Sequence, residues 1–491
     1  MQQFPPEFLF GISSSAYQIE GAWDVDDKSP SIWDVSTHAD PCWIPDCSNG
    51  DVATNSYRLY ERDIEMVGEL GVDFYRFSLS WPRLIPEGLF RKGKHSVQGV
   101  AYYRKVIESL RNRGIEPLVT MFHWDLPQRL QDLGGWMNPL VVDWYADYAK
   151  LVFEVFGDQV KYWITINEPY IFCWFSYGTK ILAPRLDSAG VGVYLCVKHV
   201  LLAHAKAYHI YNEEFRASQN GIVGISNALY WYEAATDSDE DKQAVADMLE
   251  FECGLYLNPI FSEEGDFPDL VKRRVAEKSA EQGFPRSRLP QFTAEQVNYL
   301  RGSFDFLGIN HYSTYLAYRN YSEDYTNNFG YSYSGIPSLP DDISVHLKLH
   351  PDRPTSISSV QYAPEGLEAL LAYIREKYNN PPVFITENGW PDRGGLEDDD
   401  RSAYIKGYVQ AVRNAIDEGS NMLGYSAWSL MDSFEWNSGY TAKYGLYEVD
   451  FESEELTRTP RKSAFVYREI TRSRAVDPAY EPPADRHAHD L

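Results

Sequence analysis

Short, almost unbroken apolar runs recur along the chain, and each is followed by a stretch whose apolar residues have helical spacing. The runs are rich in Val, Ile, Phe, Tyr and Thr, which favours strands covered on both faces. Eight such runs lie at residues 8–14, 73–80, 116–123, 162–167, 222–228, 304–310, 383–387 and 423–429. Helices are predicted between them, for example at residues 100–113, 141–156, 195–216 and 401–418.

Eight parallel strands alternating with helices form a (β/α)8 barrel, a fold that can exceed about 400 residues when its loops carry insertions. No Ser/Gly-rich or Pro-rich linker divides the 491-residue chain. We therefore predict an α/β fold with a single barrel domain at residues 1–475 and a polar tail at 476–491. A Tyr-rich insertion at 315–354 is predicted to form a loop over the barrel mouth. Three glycines follow predicted helices, where a left-handed residue is expected: Gly71, Gly114 and Gly157.

The charge balance restricts the partners of the protein. Lys and Arg total 45 against 71 Asp and Glu, which gives a net charge of −26 and repels nucleic acids and anionic lipid surfaces. No apolar stretch reaches the roughly 18 residues of a membrane-spanning helix. Because no paired C-x-x-C or H-E-x-x-H motif occurs, we predict neither a metal nor a cofactor.

The cysteines bear on the compartment, because five are too few for a disulfide framework in so long a chain. Cys42 and Cys47 could close a small loop in an oxidising environment. The other three are predicted to be buried thiols: Cys173, Cys196 and Cys253. A glycosylation sequon at residues 320–322 also favours secretion. We expect an extracellular protein whose signal peptide has been removed, with a cytoplasmic location as the alternative.

Chemistry in such barrels lies at the C-terminal strand ends, and here these ends are polar. Glu168 and Glu387 end the fourth and seventh apolar runs, which stand across the mouth from one another. One acid of such a pair can protonate the leaving oxygen of an acetal, while the other attacks or stabilises the sugar carbon. Acid pairs also bind divalent metals, but no Asp/His cluster accompanies these two at the neighbouring strand ends.

The sequence around both glutamates resembles the two catalytic signatures of glycoside hydrolase family 1, the β-glucosidase family. These stretches read TINEP at 165–169 and ITENG at 385–389. Further similar stretches are FLFGISSSAYQIEGA at 8–22, YRFSLSW at 75–81, HWDLP at 123–127, GINHY at 308–312 and AWSLMDSFEW at 427–436. The resemblance covers about residues 4–470 and is nearest to animal, particularly insect, members.

The resemblance implies a retaining β-glycosidase with Glu387 as nucleophile and Glu168 as general acid/base. Its substrates would be small β-glycosides or oligosaccharides with a terminal β-D-glucoside, and also β-galactosides and β-fucosides. Arg76 would place a cation beside Glu387, and Tyr312 could hydrogen-bond the same carboxylate. Glu168 has a less cationic setting, in which it would keep its proton until the leaving group needs it.

The resemblance also implies a sugar-binding site at the mouth. Its residues would be Gln18, His123, Asn167, Asn310, Tyr312, Trp428, Glu435 and Trp436. Gln18 can donate and accept hydrogen bonds, whereas Glu435 is expected only to accept. A wrong epimer would leave such a group unpaired, which costs ~1–3 kcal/mol.

Several alternatives remain open at this point. The protein could instead be an insect-type myrosinase that cleaves glucosinolates, or an inactive sugar-binding relative, although such a relative should have lost one glutamate. Lys443 and Tyr444 resemble residues that bind 6-phosphorylated sugars in other members, but a carboxylate at Glu435 would repel a phosphate. Ser359 stands where the family commonly has an aglycone-binding Trp, so the aglycone is not specified. A homodimer is also left open.

Overall fold

The computed structural model describes residues 2–320 and 335–484, and its centre is a closed barrel of eight parallel strands. In chain order they are β1 Leu9–Ser13, β2 Phe74–Ser78, β3 Glu116–Phe122, β4 Tyr162–Asn167, β5 Ile222–Ala228, β6 Phe306–Asn310, β7 Val383–Glu387 and β8 Met422–Trp428. Each strand pairs with the next, and β8 closes the barrel on β1. The predicted (β/α)8 barrel is confirmed, and each predicted run agrees with its strand to within two residues at either end.

Helices surround the barrel and bury their apolar faces against it. The longer ones are Ser56–Glu69, Val97–Asn112, Val141–Phe156, Pro169–Tyr177, Gly192–Ile210, Asp239–Leu249, Asp269–Glu281, Pro364–Lys377, Asp399–Asp417 and Lys462–Ser473. Shorter α-helices and 3₁₀ turns are Ala16–Ile19, Ile32–Ala39, Trp81–Leu84, Gln128–Gln131, Gly135–Met137, Arg216–Gln219, Leu255–Phe261, Ala294–Leu300, Leu339–Ile343 and Trp436–Ser438. Two π-helical turns lie at Tyr211–Phe215 and Glu250–Gly254. The sequence of the helix Val141–Phe156 explains why it packs in this way, because Tyr145, Tyr148 and Val152 recur at helical spacing and are all buried.

The inside of the barrel is apolar at the N-terminal end of the strands. A separate cluster, which we call the barrel floor, consists of Phe74, Leu118, Ile164, Phe306 and Phe384. The ring of Phe384 packs edge-on, with centroids 5.2 Å from Phe306 and 5.7 Å from Phe74. This packed layer closes the barrel below the polar residues of the mouth.

Two of the three predicted glycine caps are confirmed. Gly71 and Gly114 have φ of +64° and +72°, which a side chain would oppose. The prediction for Gly157 is wrong, because its φ is −68°. A Cβ on Gly157 would overlap the amide of Gln219, which would have to move and give up the hydrogen bond that it donates to the carbonyl of Phe153.

The described parts of the insertion contain regular secondary structure. Thr314–Tyr318 and His346–Lys348 form a three-stranded sheet with Trp231–Ala234, and Leu339–Ile343 is a short helix. The sheet buries Ala317, so its apolar positions hold it against the body of the protein. The remainder of the predicted loop, at 321–334, lies outside the described residues.

Two disulfides are present. The bond between Cys42 and Cys47 closes the small loop that their spacing allowed. A second bond joins Cys173 to Cys196, so the prediction of thiols is wrong for this pair. It links the helix Pro169–Tyr177 to the helix Gly192–Ile210, and the packing of those helices is not visible in the spacing of the cysteines. Cys253 is a buried thiol, as predicted. Within residues 2–320 and 335–484, no helix is long and apolar enough to cross a membrane.

Candidate active site

The structure brings all the predicted site residues to the barrel mouth. They come from the strand ends and the segments that follow them: Gln18, Arg76, His123, Asn167, Glu168, Asn310, Tyr312, Glu387, Trp428, Glu435 and Trp436. Most are buried, whereas Tyr312 and Glu435 are partly exposed. Buried polar groups at this density need mutual hydrogen bonds, and the network below supplies them.

Both glutamates follow an irregularity in their strands. On β4, Ile164 pairs with Gly224 and Asn167 with Ser226, so three steps along β4 match two along β5. On β7, Ile385 pairs with Ile309 and Glu387 with Asn310, so two steps match one along β6. An extra residue of this kind bends a strand and changes the direction of the side chains beyond it. The two bulges therefore change the direction of β4 and β7 at the ends that carry Glu168 and Glu387.

Glu387 is held by a cation and a phenol. Arg76 Nη1 donates to its Oε1 at 2.6 Å, and the Tyr312 hydroxyl donates to its Oε2 at 2.7 Å. The side chains of Arg76 and Glu387 are only 1% and 4% exposed. A buried guanidinium needs an anionic partner, and the carboxylate of Glu387 forms this ion pair. Both oxygens of this group have fixed positions.

The same arginine fixes the orientation of an asparagine amide. Asn167 Oδ1 accepts from Arg76 Nη2 at 2.6 Å and from Asn310 Nδ2 at 3.0 Å. Its amide nitrogen must then face the other way, where it donates to His123 Nε2 at 3.1 Å and to Glu168 Oε2 at 3.4 Å. One amide thus connects the arginine, the histidine and the second glutamate.

Among the described residues no cation contacts Glu168, and the amides of Asn167 and Asn310 donate to its two oxygens. Asn310 Nδ2 donates to its Oε1 at 2.9 Å. Burial, and secondly the nearby charge of Glu387, raise the pKa of Glu168 well above its usual range. Both causes favour the protonated form of Glu168. Its backbone is left-handed, with φ +50°, where the chain turns from β4 into the helix Pro169–Tyr177.

His123 is neutral and offers a free donor. Burial, with the charge of Arg76 beside it, lowers the pKa of His123 well below its usual range. Since its Nε2 accepts from Asn167, the proton lies on Nδ1. That atom is buried and has no hydrogen-bond partner in the described part of the chain. It can donate to a hydroxyl of a bound ligand.

Gln18 and Glu435 form a polar fork, a further pair of hydrogen-bonding side chains at the mouth. Ser15 Oγ donates to Gln18 Oε1 at 2.6 Å, and Gln18 Nε2 donates to Glu435 Oε2 at 3.1 Å. Burial, with the charge of Glu387, raises the pKa of Glu435 to about 8. The shift favours the protonated form of Glu435, and in that form the group can donate a hydrogen bond as well as accept one.

Aromatic rings enclose the polar groups. His123 stacks with Trp428 and Trp436, with ring centroids 6.0 and 5.9 Å away. Trp436 also stacks with Tyr17 at 6.1 Å, so the buried Trp436 has a fixed orientation. Trp124 and Trp436, like Glu168, have left-handed backbones, with φ of +76° and +45°. Polar forks between flat apolar faces suit a ligand with many hydroxyls and one apolar face.

Some functional residues were not identified from the sequence. Thr386 Oγ1 donates to Asn310 Oδ1 at 2.5 Å, and Thr120 accepts from Arg76 Nε at 3.1 Å. These hydroxyls fix the groups that contact the glutamates. Their signal was a polar residue inside an otherwise apolar strand. The aromatic cavity beside Glu168, described below, was also missed.

Two of the alternatives that the sequence left open concern Lys443 and Ser359. The ammonium of Lys443 lies 4.5 Å from the ring centroid of Phe451, in a cation–π contact. Ser359 lies in a left-handed turn at φ +61° and is partly exposed. It brings no ring to the position where the family commonly has a Trp.

A barrel with paired acids at its mouth is the architecture of a glycoside hydrolase, and comparison with known proteins agrees. The family model described as glycosyl hydrolase family 1 matches residues 1–476. Myrosinase 1 of Brevicoryne brassicae is 40% identical over 470 residues, which cover 95% of this chain and 98% of that protein. Cytosolic β-glucosidase of Homo sapiens is 38% identical over 479 residues, covering 96% and 99%.

A solved structure gives the same result. A mutant rice β-glucosidase in a covalent complex with Glc has a TM-score of 0.87 and 36% identity, covering 95% of this chain and 98% of that one. The chain belongs to glycosyl hydrolase family 1 and is a glycoside hydrolase.

Proposed function

We propose that the protein is a retaining β-glycosidase, chiefly a β-glucosidase that also accepts β-galactosides and β-fucosides. The observation that carries this is the contrast between two buried glutamates at one mouth. Glu387 contacts Arg76 and Tyr312, whereas the described hydrogen bonds to the Glu168 carboxyl come from amides and its pKa is raised. An ionised nucleophile and a protonated acid are the two states that the first step of a retaining mechanism requires.

In the first step, Glu168 gives its proton to the glycosidic oxygen as that bond breaks. Glu387 attacks the anomeric carbon and forms a covalent glycosyl-enzyme. Arg76 and Tyr312 orient the attacking carboxylate through its two oxygens. The related rice enzyme in a covalent complex with Glc supports an intermediate of this kind.

In the second step, Glu168 changes role. Esterification removes the negative charge of Glu387, which is the second cause of the raised pKa of Glu168. The pKa of Glu168 therefore falls after the leaving group has taken its proton, and its carboxylate can activate water. Water then releases the sugar with its original anomeric configuration.

The polar fork and the histidine would select the sugar. Gln18 and Glu435 meet hydroxyls of the sugar, and His123 Nδ1 meets another. Trp428 and Trp436 present apolar faces to the ring. An epimer that leaves one of these groups unpaired would bind more weakly by ~1–3 kcal/mol.

The stereochemical course of hydrolysis tests the proposal. ¹H NMR of a 4-nitrophenyl β-glucoside digest should show the β-anomer of glucose before mutarotation begins. Initial release of the α-anomer would overturn it. The carboxyl groups of Glu168 and Glu387 are expected to lie about 5–5.5 Å apart in a crystal structure, and a separation of about 6.5–9.5 Å would indicate inversion.

A thioglucosidase is the second candidate function. Its support is the 40% identity to the aphid myrosinase, together with the presence of both glutamates. Release of glucose from a glucosinolate at a kcat/KM equal to that for an aryl β-glucoside would favour it.

The two disulfides support a secreted protein, since such bonds persist in oxidising compartments. The single domain at 1–475, the tail at 476–491 and a homodimer remain predictions. Light scattering measures the last of these directly.

A further inference from the structure

A cavity of about 110 Å³ lies outside the sugar site described above. Aromatic and aliphatic side chains line it, among them Tyr170, Trp174, Phe175, Tyr230, Tyr315 and Leu347. The lining comes from five separate segments of the chain, including the small sheet of the insertion. The cavity is therefore built by tertiary structure rather than by one motif.

The position of the cavity relates it to Glu168. Tyr170 and Trp174 lie on the helix Pro169–Tyr177, which begins directly after that residue. Tyr230 follows β5, the neighbour of β4, and the charges of Tyr315 and Glu168 add to burial in raising its pKa. The cavity thus lies on the side of the acid/base. A leaving group must lie on that side, because its oxygen takes the proton of Glu168.

The lining of the cavity contains no Lys, Arg or His among the described residues. Nearby cations already have partners. Arg274 and Arg319 both donate hydrogen bonds to Asp247, and the ammonium of Lys348 lies over the ring of Tyr318. The stretch 321–334 also contains no basic residue in its sequence.

The ionisable group behind the cavity wall is acidic. Glu252 Oε1 accepts from the backbone N–H of Tyr230 at 3.0 Å, and burial raises the pKa of Glu252 well above its usual range. A neutral carboxylic acid cannot balance a bound anion. Together with Glu168, it makes this side of the mouth unfavourable for negative charge.

We propose that the cavity binds the aglycone and selects uncharged, flat, apolar aglycones over anionic ones. This inference rests on the proposed function, since it needs Glu168 to act on the leaving group. Aromatic rings favour offset or edge-on contact with a flat ligand. An anion here, such as the sulfate of a glucosinolate, would lose its hydration without a paired cation.

The test compares substrates with the purified full chain. A neutral coumarin β-glucoside and its carboxylated analogue of matched phenol acidity differ mainly in charge. We expect kcat/KM for the neutral substrate to exceed that for the anionic one on the order of 10²-fold or more. Allyl glucosinolate should be at least as poor a substrate as the carboxylated coumarin.

Two variants locate the selection in the cavity. Leu347→Lys adds a cation at its partly exposed edge and should reduce the neutral-to-anionic ratio roughly tenfold. Val97→Lys is the matched control, because it adds the same charge at a surface position that is 71% exposed, and it should leave the ratio unchanged. Trp174→Ala should lower the ratio of 2-naphthyl to methyl β-glucoside roughly tenfold.

Different outcomes test the selectivity for the aglycone and the β-glycosidase activity separately. Equal kcat/KM for the neutral and anionic coumarins would overturn the selection while β-glycosidase activity remained. An unchanged naphthyl-to-methyl ratio in Trp174→Ala would show that the aglycone lies elsewhere. Absence of turnover for every β-glycoside would contradict the proposed function itself.

Discussion

The barrel floor and the barrel mouth use the same strands but have opposite composition. On β7, Phe384 packs among the rings of the floor, while Glu387, three residues later, contacts Arg76 at the mouth. The floor is made of apolar contacts, whose removal leaves a cavity. The mouth consists of charges and amides that need one another. A single strand therefore supplies stability at one end and chemistry at the other.

The largest effect should follow from Glu387→Gln at the mouth. Without the carboxylate no glycosyl-enzyme forms, so kcat for aryl glucosides should fall roughly 10⁴- to 10⁶-fold. The amide can still accept from Arg76, and circular dichroism should show a native fold. Substantial activity in a preparation free of contaminating enzyme would contradict the role of Glu387.

Glu168→Ala should be less severe and should depend on the leaving group. Substrates with poor leaving groups should lose roughly 10²- to 10⁴-fold in rate, because they need the proton. Substrates with acidic phenols should still form the intermediate, which then accumulates. Added azide should restore turnover of these substrates by attacking the intermediate and give the β-glycosyl azide.

The pH profile provides the control for that variant. Glu168 must be protonated for the first step, so kcat/KM of the wild type should fall as the pH rises through its raised pKa. The alkaline limb should disappear in Glu168→Ala with an activated aryl glucoside. No rescue by azide, or an α-glycosyl azide, would exclude Glu168 as acid/base.

At the floor, Phe384→Ala should lower the free energy of unfolding by about 3–5 kcal/mol. The ring packs against Phe74 and Phe306, far down the strand from the acids. Turnover per folded molecule, measured at low temperature after active-site titration, should stay within about twofold of the wild type. A loss of turnover as large as that of Glu168→Ala would show that the barrel floor contributes to turnover as well as to stability.

The smallest effect is expected from Tyr312→Phe. It removes one of the two described contacts of Glu387, a hydrogen bond to a charged group, worth about 1.5–3 kcal/mol. We expect kcat/KM to fall roughly 10- to 100-fold with little change in unfolding temperature. An unchanged kcat/KM would show that Arg76 alone is enough to hold the nucleophile.

Much of this architecture could be predicted from the sequence, because barrel strands are short apolar runs and their ends carry the chemistry. The strand-end residues Glu168 and Glu387 were identified in this way. The disulfide between Cys173 and Cys196 could not be, since it depends on how two helices pack. The contact between Gly157 and the amide of Gln219 likewise depends on tertiary structure.

The aromatic cavity could not be predicted for a similar reason. Tyr230 and Tyr315 come from segments far apart in the chain, and their rings meet edge-on at 5.5 Å only in the folded protein. The spacing of Tyr170 and Trp174 placed them on one helix face, but a buried helix face shows the same pattern. The Tyr-rich composition of 315–354 predicts an insertion loop over the mouth, but it does not show which of its rings line a cavity.

The left-handed backbone at Glu168 has a consequence for attempts to make the enzyme more heat-resistant. A residue with a side chain costs roughly 1–2 kcal/mol in that conformation, whereas glycine adopts it freely. Trp124 and Trp436 have the same backbone conformation. At Trp124 and Trp436 that gain is outweighed, because glycine would remove a buried ring worth about 3–5 kcal/mol. At Glu168 no such ring is lost, so a library selected for thermal survival alone would favour glycine there and discard the proposed acid/base. Selection must include turnover in every round if the stabilised descendants are to remain enzymes.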